Sequence, residues 1–243
     1  MRKLALLCVL ALAACDAPPP PSGGPSQPST QPAPQPQARA PRAPATPTSD
    51  KVAQFKSVVA AVEPVAEREC NARTQGINCD FRIVVDDRPG MPANAFQTVD
   101  RQGRPILAFN LALIAEVRNR DELAFVMGHE AAHHIAGHLD RQRNNAMAGA
   151  ILLGGLAAIT GASQGAVQNA TDLGAGLGAR TYSKDYELEA DALGTVITKR
   201  AGYDPVRGAA FFTQIPDPGD RFLGTHPPNA QRIETVKRVA AGL

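Results

Sequence analysis

Two histidines four residues apart, with a glutamate directly after the first, sit in an almost wholly apolar stretch between Asp121 and Arg143: His129-Glu130-Ala131-Ala132-His133. An α-helix turns by about 100° and rises about 1.5 Å per residue, so the two imidazoles lie one turn apart and about 40° apart around the axis. Two imidazoles so placed can hold one zinc ion, and the Glu130 carboxylate beside them can take a proton from water. Phe125, Val126, Ala124, Ala131 and Ile135 make the helix apolar nearly all round, which predicts a buried central helix. Polar residues on such a helix need a reason. Asp121 is expected to cap it, with Glu122 in the first turn. On one continuous helix His138 falls about 180° from His129, and His134 about 100° from His133. Both are therefore expected to be structural rather than ligands.

Two histidines leave a metal site incomplete. The stretch from Tyr182, YSKDYELEADALGTVITKRAG, supplies the missing carboxylate. Glu187 and Asp191 are four residues apart and share a face, whereas Glu189 lies about 200° from Glu187. The third ligand is expected to be Glu187, with Asp191 orienting a metal-bound imidazole. Glu189, with Asp185, reads as a solvated acidic face. Gly202 should end this helix, and Asp204-Pro205 should start the next as cap and first residue.

The remaining segments give the scaffold. With no Trp and few aromatics, the core must be built from Ala, Leu, Ile and Val, which favours helices. A first helix is expected from Lys51, capped by Ser49 or Asp50 and bent or restarted at Pro64. Strands are expected at Phe81–Val85, Ala93–Val99 and Pro105–Phe109, the last two joined by a hairpin turn at Asp100–Arg104. Asn110 should cap a short helix that follows. Residues 144–171 contain no charged side chain, with an apolar centre at Ala146–Ile159. That centre is short and Gly-rich for a transmembrane helix. A helical hairpin near the site, a lid or membrane-contacting segment, and a true span are the three readings.

The N-terminus reads as an address. Arg2 and Lys3 precede an apolar run from Leu4 to Ala14, too short to cross a bilayer. The run ends Leu12-Ala13-Ala14-Cys15, which resembles the bacterial lipobox and implies lipidation of Cys15 and a periplasm-facing, membrane-anchored protein. Asp16 hints at the inner membrane. Residues 16–50 hold twelve prolines and almost no large apolar residue, which predicts a disordered tether. Four of the 25 basic and two of the 23 acidic residues fall in the first 50, leaving 21 of each in the body. A neutral body gives no ground for nucleic-acid binding. Cys70 and Cys79 flank a Gly76 turn, and in an oxidising compartment this pair is expected to form a disulfide.

Taken in order, Asn94-Ala95-Phe96, Asp121-Glu122-Leu123, His129–His133 with His138, Glu187–Asp191 as ExxxD, Ala201–Pro205, and His226-Pro227 with Arg232 resemble the HtpX-like and CAAX-prenyl-protease-like zinc peptidases, especially their periplasmic BepA and LoiP branch. The resemblance covers about residues 51–243. It implies an α+β, mostly helical, zincin-like (gluzincin) fold with a small antiparallel sheet. It implies one Zn2+ on His129, His133 and Glu187, Glu130 as general base, and Asp191 in support. His226 would occupy the fourth zinc position as a gate, or steady the oxyanion. Polypeptides, above all misfolded envelope proteins, would be the substrates. Lys184 departs from the family, standing where many relatives carry Arg. A chaperone-like or scaffolding lipoprotein that uses the zinc fold mainly for binding is the alternative.

Overall fold

The computed structural model describes residues 46–221, 224 and 226–243. The leader, Cys15, and the tether as far as residue 45 lie outside the described residues. The first helix, α1, runs Ser49–Arg73 and is capped by Thr48, whose hydroxyl accepts from the Lys51 amide. It starts two residues earlier than expected and continues through Pro64. Pro64 removes one backbone hydrogen bond, at a cost of about 3 kcal/mol. The buried face of Phe55, Val58, Val62, Val65, Ala66 and Cys70 crosses it without interruption, and burial on this scale holds the two halves in line. The Cys70 and Cys79 sulfurs, at the end of α1 and ahead of the first strand, lie 1.97 Å apart.

Three short strands follow: β1 (Arg82–Asp86), β2 (Ala95–Val99) and β3 (Pro105–Asn110). β2 and β3 form the expected antiparallel hairpin, closed at Asp100 and Gly103. β1 pairs with β3 in parallel, so the order is β1-β3-β2 and the sheet is mixed rather than antiparallel. The local turn chemistry specifies the hairpin. Nothing local specifies that residues 87–94 carry the chain past β3, so that β1 takes its far side. β3 is the central, buried strand, and β2 is left as an edge.

Asn110 ends β3 and caps α2 (Leu111–Glu116), accepting from the Leu113 amide at 2.9 Å while its side-chain amide donates to the Pro92 carbonyl. The HEAAH helix, α3, spans Arg120–Ile135 and is buried on most sides, packed between α1 and the later helices. Its cap is Asn119, not Asp121: the Asn119 side chain accepts from the Glu122 amide at 3.0 Å, and Glu122 reaches back to the Arg118 amide at 2.7 Å. The cap thus lies two residues upstream of the expected one, and the Glu122 carboxylate closes it much as in a capping box, accepting from the residue before the cap. Asp121 instead accepts from the Asp204 amide and faces Arg207, tying α3 to α7 (Pro205–Ala209).

α3 ends at Gly137, whose φ of 67° requires the left-handed region. A new helix, α4 (His138–Ile159), starts there and forms an antiparallel hairpin with α5 (Gln164–Arg180). The two helices touch backbone to backbone: a Cβ on Gly149 would lie 2.1 Å from the Gly174 carbonyl oxygen. Residues 144–171 are thus a helical hairpin, rooted beside the HEAAH helix. Its outer face exposes Met147, Ile151, Leu152, Leu156 and Ile159. No described helix is long and apolar enough to cross a membrane.

α6 (Ser183–Arg200) packs along α3 and ends at Gly202, as expected. After α7, a 3₁₀ turn at Ala210–Thr213 leads towards α8 (Asn229–Ala240). The main core joins Phe55, Val58 and Val62 to Phe109, Leu123, Met127 and Ile197, and a smaller cluster gathers Phe125, Ala209, Phe212 and Val236 under α8.

Candidate metal centre

The site is assembled by two helices brought together through glycines. Gly128 on α3 and Gly194 on α6 face each other so closely that a Cβ on Gly194 would lie 2.9 Å from the His129 amide nitrogen. That contact lays Glu187 and Asp191 alongside the two histidines. The His129 and His133 Nε2 atoms are 3.0 Å apart, Glu187 Oε1 is 3.4 Å from His133 Nε2, and Glu187 Oε2 is 3.6 Å from His129 Nε2. A tetrahedral zinc site with bonds of about 2.0–2.1 Å separates its donors by about 3.3–3.4 Å. The three donors therefore fit that ion closely, and they are the one such cluster among the described residues.

The second expectation for α6 concerned Asp191. It is fully buried, and its Oδ1 accepts from His129 Nδ1 at 2.9 Å, which leaves His129 Nε2 free for a metal. Asp191 is itself gripped by Arg232 of α8, whose Nε and Nη2 donate to its two oxygens at 2.7 Å each. Arg232 also reaches Glu187 at 3.2 Å and lies over the Phe212 ring. Burial alone would raise the Asp191 carboxyl, but the hydrogen bonds from Arg232 and His129 hold it below its ordinary range. Burial would likewise raise Glu187. Hydrogen bonds with His133 and His226, together with the nearby Arg232 guanidinium, hold it well below that range instead. Both carboxylates are thus ionised at neutral pH. Sequence reasoning met Arg232 only as part of a motif. The available signal was an arginine on the same face of α8 as Asn229 and Val236, both buried.

Glu130 lies on the cleft side of α3, half-buried, next to the metal cluster. His226 Nδ1 stands 3.2 Å from Glu187 Oε2 and is half-exposed, so it stands beside the carboxylate rather than within the three-donor cluster. Lys184, one turn before Glu187 on α6, pairs with the exposed Asp220 at 2.5 Å.

His138 does not lie where rotation along a single helix placed it. The break at Gly137 turns the chain, and His138 Nδ1 comes 2.9 Å from His133 Nδ1. Its Nε2 lies 3.1 Å from Glu189 Oε2. His138 stays outside the metal cluster, as expected, but the reason is the new helix and not the angle. Burial pushes the His138 imidazole down to about 4 despite its bond to Glu189. Glu189 is accordingly no free acidic face: it also binds Arg141 at 2.9 Å. The missed signal was Ala136-Gly137, a helix stop inside the apolar pattern. His134 donates from Nε2 to the Asn78 carbonyl oxygen at 2.8 Å and packs edge-on against Phe81, a structural role as expected.

A cleft of about 620 Å³ opens over this cluster. Ala95, Phe96 and Gln97 of edge strand β2 form one wall, and Phe211, Phe212 and Ile215 contribute to the other. Comparison with known proteins agrees with this arrangement. The sequence profile of Peptidase family M48 matches residues 53–240, from α1 to the end of α8. The chain belongs to peptidase family M48. This M48 chain is 33% identical over 133 residues to the putative beta-barrel assembly-enhancing protease of Vibrio cholerae, covering 50% of this chain and 26% of that protein. It is 30% identical over 178 residues to the mitochondrial metalloendopeptidase OMA1 of Saccharomyces cerevisiae, covering 69% of this chain and 49% of the relative. It is 30% identical over 151 residues to the beta-barrel assembly-enhancing protease of Escherichia coli O157:H7, covering 53% of this chain and 29% of the relative. The alignments thus span between a quarter and a half of these relatives. Family membership places the chain among metallopeptidases of zincin-like fold.

Proposed function

We propose that this chain is a zinc-dependent endopeptidase of the bacterial cell envelope, acting on misfolded or unassembled envelope proteins. The observation that carries the reading is the triangle of donor atoms on His129, His133 and Glu187, with Glu130 beside it at the cleft. Zinc held there would supply a Lewis acid that makes water acidic enough to ionise near neutral pH and polarises the scissile carbonyl. Glu130 accepts the proton of the attacking water and returns it to the leaving amine. Asp191 fixes the proton of His129 on Nδ1, and Arg232 keeps Asp191 ionised and in place. His226, next to Glu187, is placed to approach the reacting carbonyl or to block the open position. The β2 edge, whose Ala95, Phe96 and Gln97 line the cleft, can take an extended substrate as an added strand.

The domain plan belongs to the same proposal: a lipoprotein leader at 1–15 with Cys15 lipidated, a proline-rich tether from 16 towards α1, and a catalytic body to residue 243. Lipidation at Cys15 would place the body in the periplasm, where the Cys70–Cys79 pair would be oxidised. Beta-barrel assembly-enhancing proteases among the relatives support an envelope quality-control role. The test is Glu130→Gln in the full chain, measured on an unfolded casein substrate. Zinc content should be retained and hydrolysis should fall at least about 100-fold. Full hydrolysis by that variant would sink the assignment of Glu130 and with it the mechanism.

A further inference from the structure

The two histidines of the cluster are supported differently. His129 is backed by a carboxylate, Asp191, in direct contact. His133 has no carboxylate at its Nδ1. It has His138, 2.9 Å away, and behind His138 stands Glu189, 3.1 Å from the far ring nitrogen.

The protons in this chain of contacts can be ordered. His133 Nε2 faces His129 Nε2 and Glu187, so a metal there needs its lone pair on Nε2. The ring proton of His133 must then sit on Nδ1. The group facing Nδ1 is His138 Nδ1, which must accept. His138 therefore carries its own proton on Nε2, and Glu189 accepts that one. Each donor meets an acceptor, and the last acceptor is an anion held by Arg141 at 2.9 Å.

The relay is also braced. The His138 ring stacks on Tyr186 with centroids 4.8 Å apart and planes 17° apart, and the Arg141 guanidinium lies 4.9 Å from the Tyr186 centroid. The Tyr186 hydroxyl accepts from Asn145 at 2.9 Å. Arg141 also donates to the Ala136 carbonyl, fastening the start of α4 to the end of α3.

We infer that His138 and Glu189 are positioning residues for His133: a hydrogen-bonded relay that fixes its tautomer and ring orientation for the metal, as Asp191 does for His129. The inference rests on the reading of His129, His133 and Glu187 as zinc ligands. A metal-bound histidine without its partner on the other nitrogen typically loses 10- to 100-fold in metal affinity.

The test uses the full chain and measures zinc affinity by chelator competition, with the visible spectrum of the Co2+-substituted protein as a reporter of coordination geometry. Wild type should bind one zinc. Absence of zinc binding in wild type would overturn the ligand assignment itself, separately from the relay. His138→Ala should bind zinc about 10- to 100-fold more weakly and shift the Co2+ spectrum. His138→Asn, whose Oδ1 can occupy the position of the ring Nδ1 and accept from His133, should stay within about threefold of wild type. Glu189→Ala, at a half-exposed position, should weaken binding in the same direction as His138→Ala, and it carries the test if His138→Ala does not fold. Wild-type affinity and spectrum in His138→Ala and Glu189→Ala would overturn the relay. So would equal losses in His138→Asn and His138→Ala, since packing rather than hydrogen bonding would then be what matters.

Discussion

Replacing Gly194 by alanine adds one methyl group where α6 crosses α3. That Cβ would lie 2.9 Å from the His129 amide nitrogen, 3.0 Å from its Cα and 3.2 Å from the Gly128 carbonyl carbon. All three are backbone atoms and cannot swing aside. Carbon atoms pack comfortably at about 3.5–4.0 Å, so the two helices must part by roughly 0.5–1 Å. Overpacking of this kind costs about 1–3 kcal/mol, partly offset by the better helix propensity of alanine, up to about 1 kcal/mol. The expected net loss is about 1–2 kcal/mol, which for a body of this size lowers Tm by about 2–8 °C. The same displacement stretches the 2.9 Å His129–Asp191 bond beyond hydrogen-bonding range and widens the 3.6 Å gap between His129 and Glu187. Zinc affinity should fall by about tenfold or more. Calorimetry and chelator competition measure the two effects, with Gly155→Ala as the control. Gly155 lies on α4, where a Cβ meets nothing within 4 Å, and that variant should be neutral or slightly more stable. Wild-type Tm and zinc affinity in Gly194→Ala would refute the claim that this glycine contact sets the site.

Arg232→Met leaves Asp191 buried without its cation and should destabilise the body by about 3–5 kcal/mol in urea unfolding, whereas Arg232→Met with Asp191→Asn should cost less than the two changes summed. Glu69 ties α1 to α6 through Arg200 and to Arg73 at 2.9 Å; burial would raise its carboxyl, but these arginines hold it below the ordinary carboxylate range. A depressed carboxyl contributes stability that is present above its unfolded pKa and is lost as pH falls through the folded value, so the loss falls below about pH 4.5. Glu69→Gln should flatten the acid limb of a Tm-against-pH curve in that range and leave the slope between pH 6 and 8 unchanged.

The HEAAH helix was legible because periodicity and polarity disagree there: an all-round apolar helix has no use for two histidines and a glutamate unless they bind something. The choice of Glu187 over Glu189 was legible for a related reason, since 100° per residue is a property of the helix alone. The same rule failed for His138, because it holds only while the helix continues, and Gly137 ends it. The parallel pairing of β1 was hidden too, since register with a distant strand is set by packing on α1 and α3 and not by the turn at Asp100–Gly103.

By itself, then, the sequence determined which chemistry this chain can hold: two imidazoles and a base on one helix, carboxylates four residues apart on another. Spacing along a single helix is a local constraint. Tertiary structure decided how those halves meet, through two glycines that let backbones touch, and what stands behind each ligand. Arg232 comes from the last helix and the His138–Glu189 relay from the root of the hairpin. Such contacts bridge roughly 40 to 50 residues of chain. They arise from packing between helices, which no local pattern records.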